Sequence, residues 1–307
     1  MTPGVCPITG EPATLVQEVS PALLCGLWRR AFGVDPSPLP RERIGIWRSP
    51  CGLAFFAPAE AGDAAFYEAL YRRLDAGGRV RAAGHDRAEY PHAAARIRPG
   101  DAVLEVGAGA GAFARHIPGA RYRGLDPNPG AYAVLEGDVR AAPLDVHAAA
   151  HERAYDAACA FQVIEHVAEP LRLAADMVRC LRPGGLVMLG APLWPSAMTA
   201  IPDFVFNAPP HHLSWWSEDA MRALAGRLGL VVEEIHALPP VPAQPLIHWM
   251  GRLAPIKAPP QGPWFAARRS WYASLAVAHL FGRVAAALLP LPRNAAPIFV
   301  LMVARKP

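Results

Sequence analysis

Residues 103–114 read VLEVGAGAGAFA: an apolar run with a carboxylate at Glu105, then Gly107, Gly109 and Gly111 at alternate positions. A strand emptying into closely spaced glycines is how an open parallel sheet lets backbone amides approach a ligand. The spacing also satisfies a loose dinucleotide fingerprint, Gly107-x-Gly109-x-x-Ala112, with Asp126 nineteen residues beyond the first glycine. Glu105 separates the two uses, because a dinucleotide loop has no need of a carboxylate there, whereas a ligand bearing an ammonium group would be held by one. Imidazoles suited to general-base chemistry near neutral pH follow at His166, in YDAACAFQVIEHV (155–167), and at His211 and His212, in APPHHLSWWS (208–217).

Such residues need strands that end at one edge. From Arg98 onward short apolar strands alternate with helices: DAVLEVG, RYRGLD, AVLEGD, YDAACAF and LVMLGAP. That alternation predicts an α/β domain with a parallel sheet covered by helices on both faces. The chain divides into an irregular Pro/Gly-rich appendage (1–60), a helical lead-in with GDAAFYEALYRRLD and EYPHAAARI (61–97), the βα core (98–238), a Pro-rich and helical insertion (239–296), and a final strand in 297–307 around IFVLMVA.

The ordered set of motifs resembles class I S-adenosylmethionine-dependent methyltransferases. EVGAGAG matches their acid-x-Gly-x-Gly-x-Gly loop, LDPNP (125–129) the acidic end of the second strand, EGDV (136–139) the adenine turn, and LRPGGLVMLGAP (181–192) the helix, turn and fifth strand. The resemblance implies a Rossmann-like, doubly wound, mostly parallel sheet with an antiparallel last strand, and S-adenosyl-L-methionine as cofactor. Carried over residue by residue, Glu105 would hold the methionyl ammonium and the Gly107–Gly111 backbone would pack beside the methionyl chain. Asp126 would accept from both ribose hydroxyls and Asp138 from the adenine amino group, with the Val139 backbone at the ring edge. Phe161 and Gln162 would border the methionyl group and the substrate. His166, His212 and His211 are the candidate bases, with one of the adjacent pair expected to point away.

Two further resemblances are departures. Some members of the superfamily hold a divalent ion with Glu-x-x-Glu-His, but the first position here is Gln162, whose neutral amide removes a charge that a hard cation favours. No metal is therefore expected. CPITG (6–10) and RSPCGLAFFAP (48–58) resemble the knuckles of a zinc ribbon, with Thr9 and Arg48 in place of the second cysteines. Two thiolates do not complete a structural zinc site.

Composition narrows the partners. The 307 residues are 52% hydrophobic and 18% charged, enough to bury a full core, and the formal charge is only +4. Without a basic stripe interleaved with aromatics, nucleic acid is disfavoured and a small-molecule substrate expected. Five scattered cysteines do not fit a disulfide framework, and no secretory signal opens the chain, so a cytoplasmic location is expected. In the insertion, 270–289 is long enough to span a membrane yet contains His279 and Arg283, with Ser270 and Ser274 on the opposite side. This favours a protein-buried helix, packed on the core, on the pocket or across a homodimer, over peripheral membrane contact through 239–296, with a true span last. The functional expectation is methyl transfer to oxygen or carbon of a sugar nucleotide, polyketide or quinone-like phenol. The alternatives are an NAD(P)-binding oxidoreductase and a non-catalytic S-adenosylmethionine-binding module.

Overall fold

A computed structural model describes residues 4–58, 60–74, 87–127, 136–238 and 244–307. Parts of the sequence reading lie outside them: 75–86 of the lead-in, 128–135 with the end of LDPNP and the first half of AVLEGD, and 239–243 of the insertion.

Among the described residues the chain forms two sheets. The larger has seven strands in the order β10-β11-β8-β7-β4-β5-β6. Its parallel part comprises β4 (Ala102–Val106), β5 (Arg121–Leu125), β6 (Val139–Arg140), β7 (Tyr155–Phe161) and β8 (Leu181–Pro192). The last strand, β11 (Phe299–Arg305), inserts antiparallel between β8 and β10 (Val231–Ala237), as the resemblance implied. Every residue of β4 is buried, which is what a strand covered on both faces requires. The expected strand over AVLEGD is corrected: 136–138 are not extended, and pairing begins at Val139.

Helices cover both faces. The segment α5 (Pro170–Cys180) starts with proline at its first position and buries Ala174, Met177 and Cys180 at helical spacing against β7 and β8. On the other face, Tyr90 from α3 (Glu89–Ala94) packs with Phe113 and Phe161 at ring separations of 5.2 and 5.6 Å. Phe161, expected to border the methionyl group and the substrate, is buried in this ring cluster.

The first zone is more regular than the irregular appendage expected. It holds β1 (Thr14–Val19), α1 (Pro21–Phe32), β2 (Ile44–Arg48) and β3 (Ala54–Ala57), and its antiparallel sheet is completed by β9 (Ser214–Trp215), a segment of the HHLSWWS loop. The cues for α1 lie in the sequence: Ser20 caps the Leu23 amide, Pro21 occupies the first turn, and Gly33 closes the helix in the left-handed conformation. Trp28 on α1 is fully buried, and its indole donates to the Pro209 carbonyl at 2.9 Å. The N-terminal zone therefore acts as a scaffold for the loop carrying His211 and His212.

The insertion folds as α8 (Gln244–Leu253) packed against α9 (Arg269–Leu288). The loop after β8 holds α6 (Ala197–Ala200), which α8 also contacts.

Candidate active site

The glycine loop is shaped by its neighbours. Gly107 has a φ of +68°, and a Cβ there would collide with the Val163 side chain. Gly111 has a φ of +82°, and its Cβ would lie 2.8 Å from Val139 Cγ2 and 3.0 Å from the Gly137 amide. Both positions thus need glycine for conformation and for space. The Gly107 and Ala108 amides donate to the Leu125 carbonyl, joining the loop to the end of β5.

Glu105 and Asp126 stand at the ends of adjacent strands. Asp126 Oδ2 accepts from the Gly109 amide at 2.9 Å, so the ribose candidate is fixed by the glycine loop itself. Glu105 is buried and accepts from the Tyr122 hydroxyl. Desolvation pushes its carboxyl up to about 8, against the opposing effects of that hydrogen bond and of the Arg87 guanidinium. A buried carboxyl in this state gains from an added cation. Glu105 with the glycine cradle and Asp126 fits the ammonium, methionyl and ribose parts of S-adenosylmethionine.

Asp138 and Gln162 are engaged elsewhere. The Asp138 carboxylate pairs with Arg123 at 2.9 Å and Arg140 at 2.7 Å, while Val139 packs at the glycine loop. Gln162 takes a positive φ of 58° and donates to Glu89 Oε1 at 2.6 Å. Its amide is therefore turned to Glu89 rather than towards the histidines.

The three histidines converge. Ring centroids of His166, His211 and His212 are separated by 4.5 to 4.9 Å, and one nitrogen of each lies within 4.8 Å of the others. His211 and His212 are both buried, which corrects the expectation that one points away. The Glu165 carbonyl accepts from the Leu213 amide at 2.7 Å, fastening the histidine loop to the turn after β7.

His166 Nδ1 donates to the His211 carbonyl at 2.5 Å, and His212 Nδ1 lies 2.7 Å from Asn207 Oδ1. Each bond fixes a tautomer with a lone pair on Nε2. Burial lowers His166 to about 4 and holds His211 and His212 well below the usual imidazole range, so all three are neutral at pH 7.

Beside them Glu165 is buried, with neither carboxylate oxygen hydrogen-bonded among the described residues and Oε1 3.6 Å from His166 Nε2. Burial raises this carboxyl to about 8. Sequence reasoning placed Glu165 only inside a metal motif and missed it as a member of the cluster. Its position immediately before His166 was the available signal. Neutral imidazoles with a carboxylate can take protons or ligate a divalent transition metal. A cleft of about 200 Å³ is lined by Phe55, Val167, Ala168, Leu213 and Ser214 among others, none of them a member of the histidine cluster.

The ribbon-like knuckles also meet. Cys6 Sγ and Cys51 Sγ are 3.7 Å apart, and the Thr9 amide lies 3.5 Å from Cys6 Sγ. Of the replacements, Thr9 Oγ1 bonds Glu11, and Arg48 bonds Gln261 Oε1 at 2.7 Å. The hydrogen bond with Cys51 pulls the Cys6 thiol down to about 4 and raises that of Cys51.

Residues 78–235 match the family model described as a methyltransferase domain. A protein of Mycobacterium avium (strain 104) described as an uncharacterized methyltransferase is 37% identical over 105 residues, covering 31% of this chain and 41% of that protein. A Mycolicibacterium gilvum (strain PYR-GCK) protein with the same description is 36% identical over 107 residues, covering 30% and 39%. The chain thus spans about two-fifths of the length of these curated relatives. A crystal structure of a SAM-dependent methyltransferase from Archaeoglobus fulgidus superposes with a TM-score of 0.51 at 14% identity, over 78% of this chain and all of that one, a likeness of fold.

Proposed function

Since the chain belongs to the S-adenosylmethionine-dependent methyltransferases, we propose that it methylates an oxygen or carbon atom of a small metabolite, in the class of sugar nucleotides, polyketides or quinone-like phenols. The observation that carries this reading is the cluster of three neutral imidazoles beyond the end of β7, tied through Val163 to the glycine loop.

Bound S-adenosylmethionine supplies an electrophilic methyl group on a sulfonium. Glu105 in its ionised form holds the ammonium, Asp126 the ribose hydroxyls, and the Gly107–Gly111 backbone the chain between them. Asp138 reaches the adenine amino group only by giving up a contact with Arg123 or Arg140, so its contribution is the smaller. His212 or His166 removes the acceptor proton at Nε2 as the acceptor attacks, with Asn207 and the His211 carbonyl keeping the respective rings oriented. The buried surroundings exclude water, which would otherwise compete for the methyl group.

A second reading rests on the same cluster: one nitrogen each of His166, His211 and His212 lies within 4.8 Å of the others, with Glu165 Oε1 3.6 Å from His166 Nε2, a set that suits a divalent cation held by the three histidines. Changing His166 and His212 singly to Gln tests both readings. As a base, the responsible residue lowers turnover by roughly two to four orders of magnitude while cofactor affinity is retained, and metal content does not follow activity. As a ligand set, each substitution removes a stoichiometric metal together with activity. Normal turnover in both variants would refute both roles.

A further inference from the structure

The α8–α9 insertion presents a surface that the methyl-transfer reading does not use. On α9, Trp271, Ser274, Ala278 and Gly282 are buried, and a Cβ at Gly282 would lie 2.9 Å from Met250 Cγ on α8. The small residues let the two helices approach closely. The sequence counted Ser274 against an amphipathic helix, but its hydroxyl is directed inward, bonded to the Ile256 amide at 2.9 Å and carbonyl at 3.0 Å.

With Ser274 removed from the outer surface, Val277, Leu280, Phe281, Val284 and Leu288 share one exposed arc of roughly 100° at helical periodicity. Leu280 is 60% exposed and Leu288 75%, and Leu289 continues the patch beyond the last turn. The helix is about 30 Å long at the usual rise per residue. An apolar strip of this length is not ordinary monomer surface.

Charge selects the occupant. Residues 239–296 contain Arg252, Lys257, Arg268, Arg269, Arg283 and Arg293 and no acidic residue. All six cations are exposed, and none forms an ion pair with a described residue. The whole chain carries only +4, so the insertion exceeds the total and the remainder is net acidic. A second copy meeting this face across a two-fold axis would bring like charges together, whereas a bilayer with anionic headgroups answers both the cations and the aliphatic strip.

We propose that the exposed face of α9 docks on an anionic membrane surface, lying in the headgroup region rather than crossing the bilayer. Arg283 lies within the helix and one face is spent on α8, which suits an in-plane helix better than a span. The insertion also borders the histidine loop: Phe204 packs with α8 and α9, and its ring is 6.4 Å from that of Phe206, which lies 4.4 Å from His211. Docking would therefore set the loop carrying the candidate base beside the bound surface.

The test is sedimentation of the full chain with vesicles of phosphatidylcholine alone and of phosphatidylcholine mixed with phosphatidylglycerol, without cofactor. The expected result is binding to the mixed vesicles, weakened at least about tenfold by Phe281→Asp with Leu288→Asp and also by Arg269→Glu with Arg283→Glu. These side chains are exposed, and an unchanged far-UV spectrum shows that the variants fold. Absence of binding, or equal binding to both vesicle types, overturns the proposal. So does a lipid-free dimer that Phe281→Asp with Leu288→Asp converts to monomer. Because no cofactor or turnover is read, failure here leaves the methyltransferase reading intact, and failure of that reading leaves this one intact.

Discussion

Replacing Glu105 by Gln isolates the carboxylate that distinguishes this glycine loop. Burial holds the Glu105 carboxyl near 8, so the free protein at pH 7 carries it mostly protonated. A ligand ammonium requires the anion, and binding must therefore release a proton. The sign follows from linkage: the ionised fraction grows as pH rises toward 8, so affinity strengthens with pH and weakens as pH falls. Between pH 5.5 and 7 that fraction increases roughly 30-fold, and the dissociation constant should tighten by about the same factor. Titration calorimetry with S-adenosylhomocysteine, which carries the same ammonium, reads both quantities when repeated in buffers of different ionisation enthalpy. Wild type should release close to one proton near pH 7, whereas Glu105→Gln should release none and show a flat profile. The neutral amide still fills the space and still meets Tyr122, so a folding defect is not built into the substitution. An unchanged slope in Glu105→Gln would place the titrating group elsewhere and refute the assignment.

Three other outcomes are expected. Thr9 and Arg48 supply no thiolates to complete a ligand set with Cys6 and Cys51, so Cys6→Ser with Cys51→Ser should leave the metal content of purified protein unchanged by elemental analysis; loss of one zinc per chain would show a ribbon site. Trp28→Ala should cost about 3–5 kcal/mol by urea unfolding and lower turnover by loosening the histidine loop, whereas a loss under about 1 kcal/mol would deny α1 its scaffold role. The depressed histidines contribute stability that is present above the unfolded value of 6.5 and lost as pH falls toward 4. Glu105 and Glu165, raised from 4.5 to about 8, act in the opposite sense, favouring the folded state below 4.5 and losing that advantage as pH rises toward 8. His212→Gln should therefore lose less stability than wild type between pH 7 and 5, and parallel unfolding curves would count against a buried neutral His212.

The parallel core was legible because its signals are local. A strand buried on both faces must be apolar throughout, and a loop that crowds Val163 and Val139 must be glycine, so β4 and Gly107 to Gly111 announce themselves. In the N-terminal zone, Ser20, Pro21 and Gly33 mark the ends of α1, but the Pro- and Gly-rich segments around it dilute that local signal. The zone's fourth strand comes from residues 214–215, a pairing of high sequence separation that no local pattern encodes. The same long-range closure hid the histidine cluster: the turn after β7 and the loop after β8 meet through the Leu213 amide and the Glu165 carbonyl, and only the folded chain turns both His211 and His212 toward His166. Ser274 was misplaced for a related reason, since helical periodicity gives its angle on α9 but not the Ile256 backbone that satisfies it.

The measurement nearest to the central claim is equilibrium binding of S-adenosylmethionine, S-adenosylhomocysteine and NAD to the wild-type chain and to Asp126→Ala. The fixed carboxylate of Asp126 and the buried one of Glu105 predict that both sulfur ligands bind with one site per chain, that NAD does not compete, and that Asp126→Ala weakens binding by about 1–3 kcal/mol through loss of the ribose acceptor. Tighter binding of NAD, or no binding of either sulfur ligand, would contradict the account.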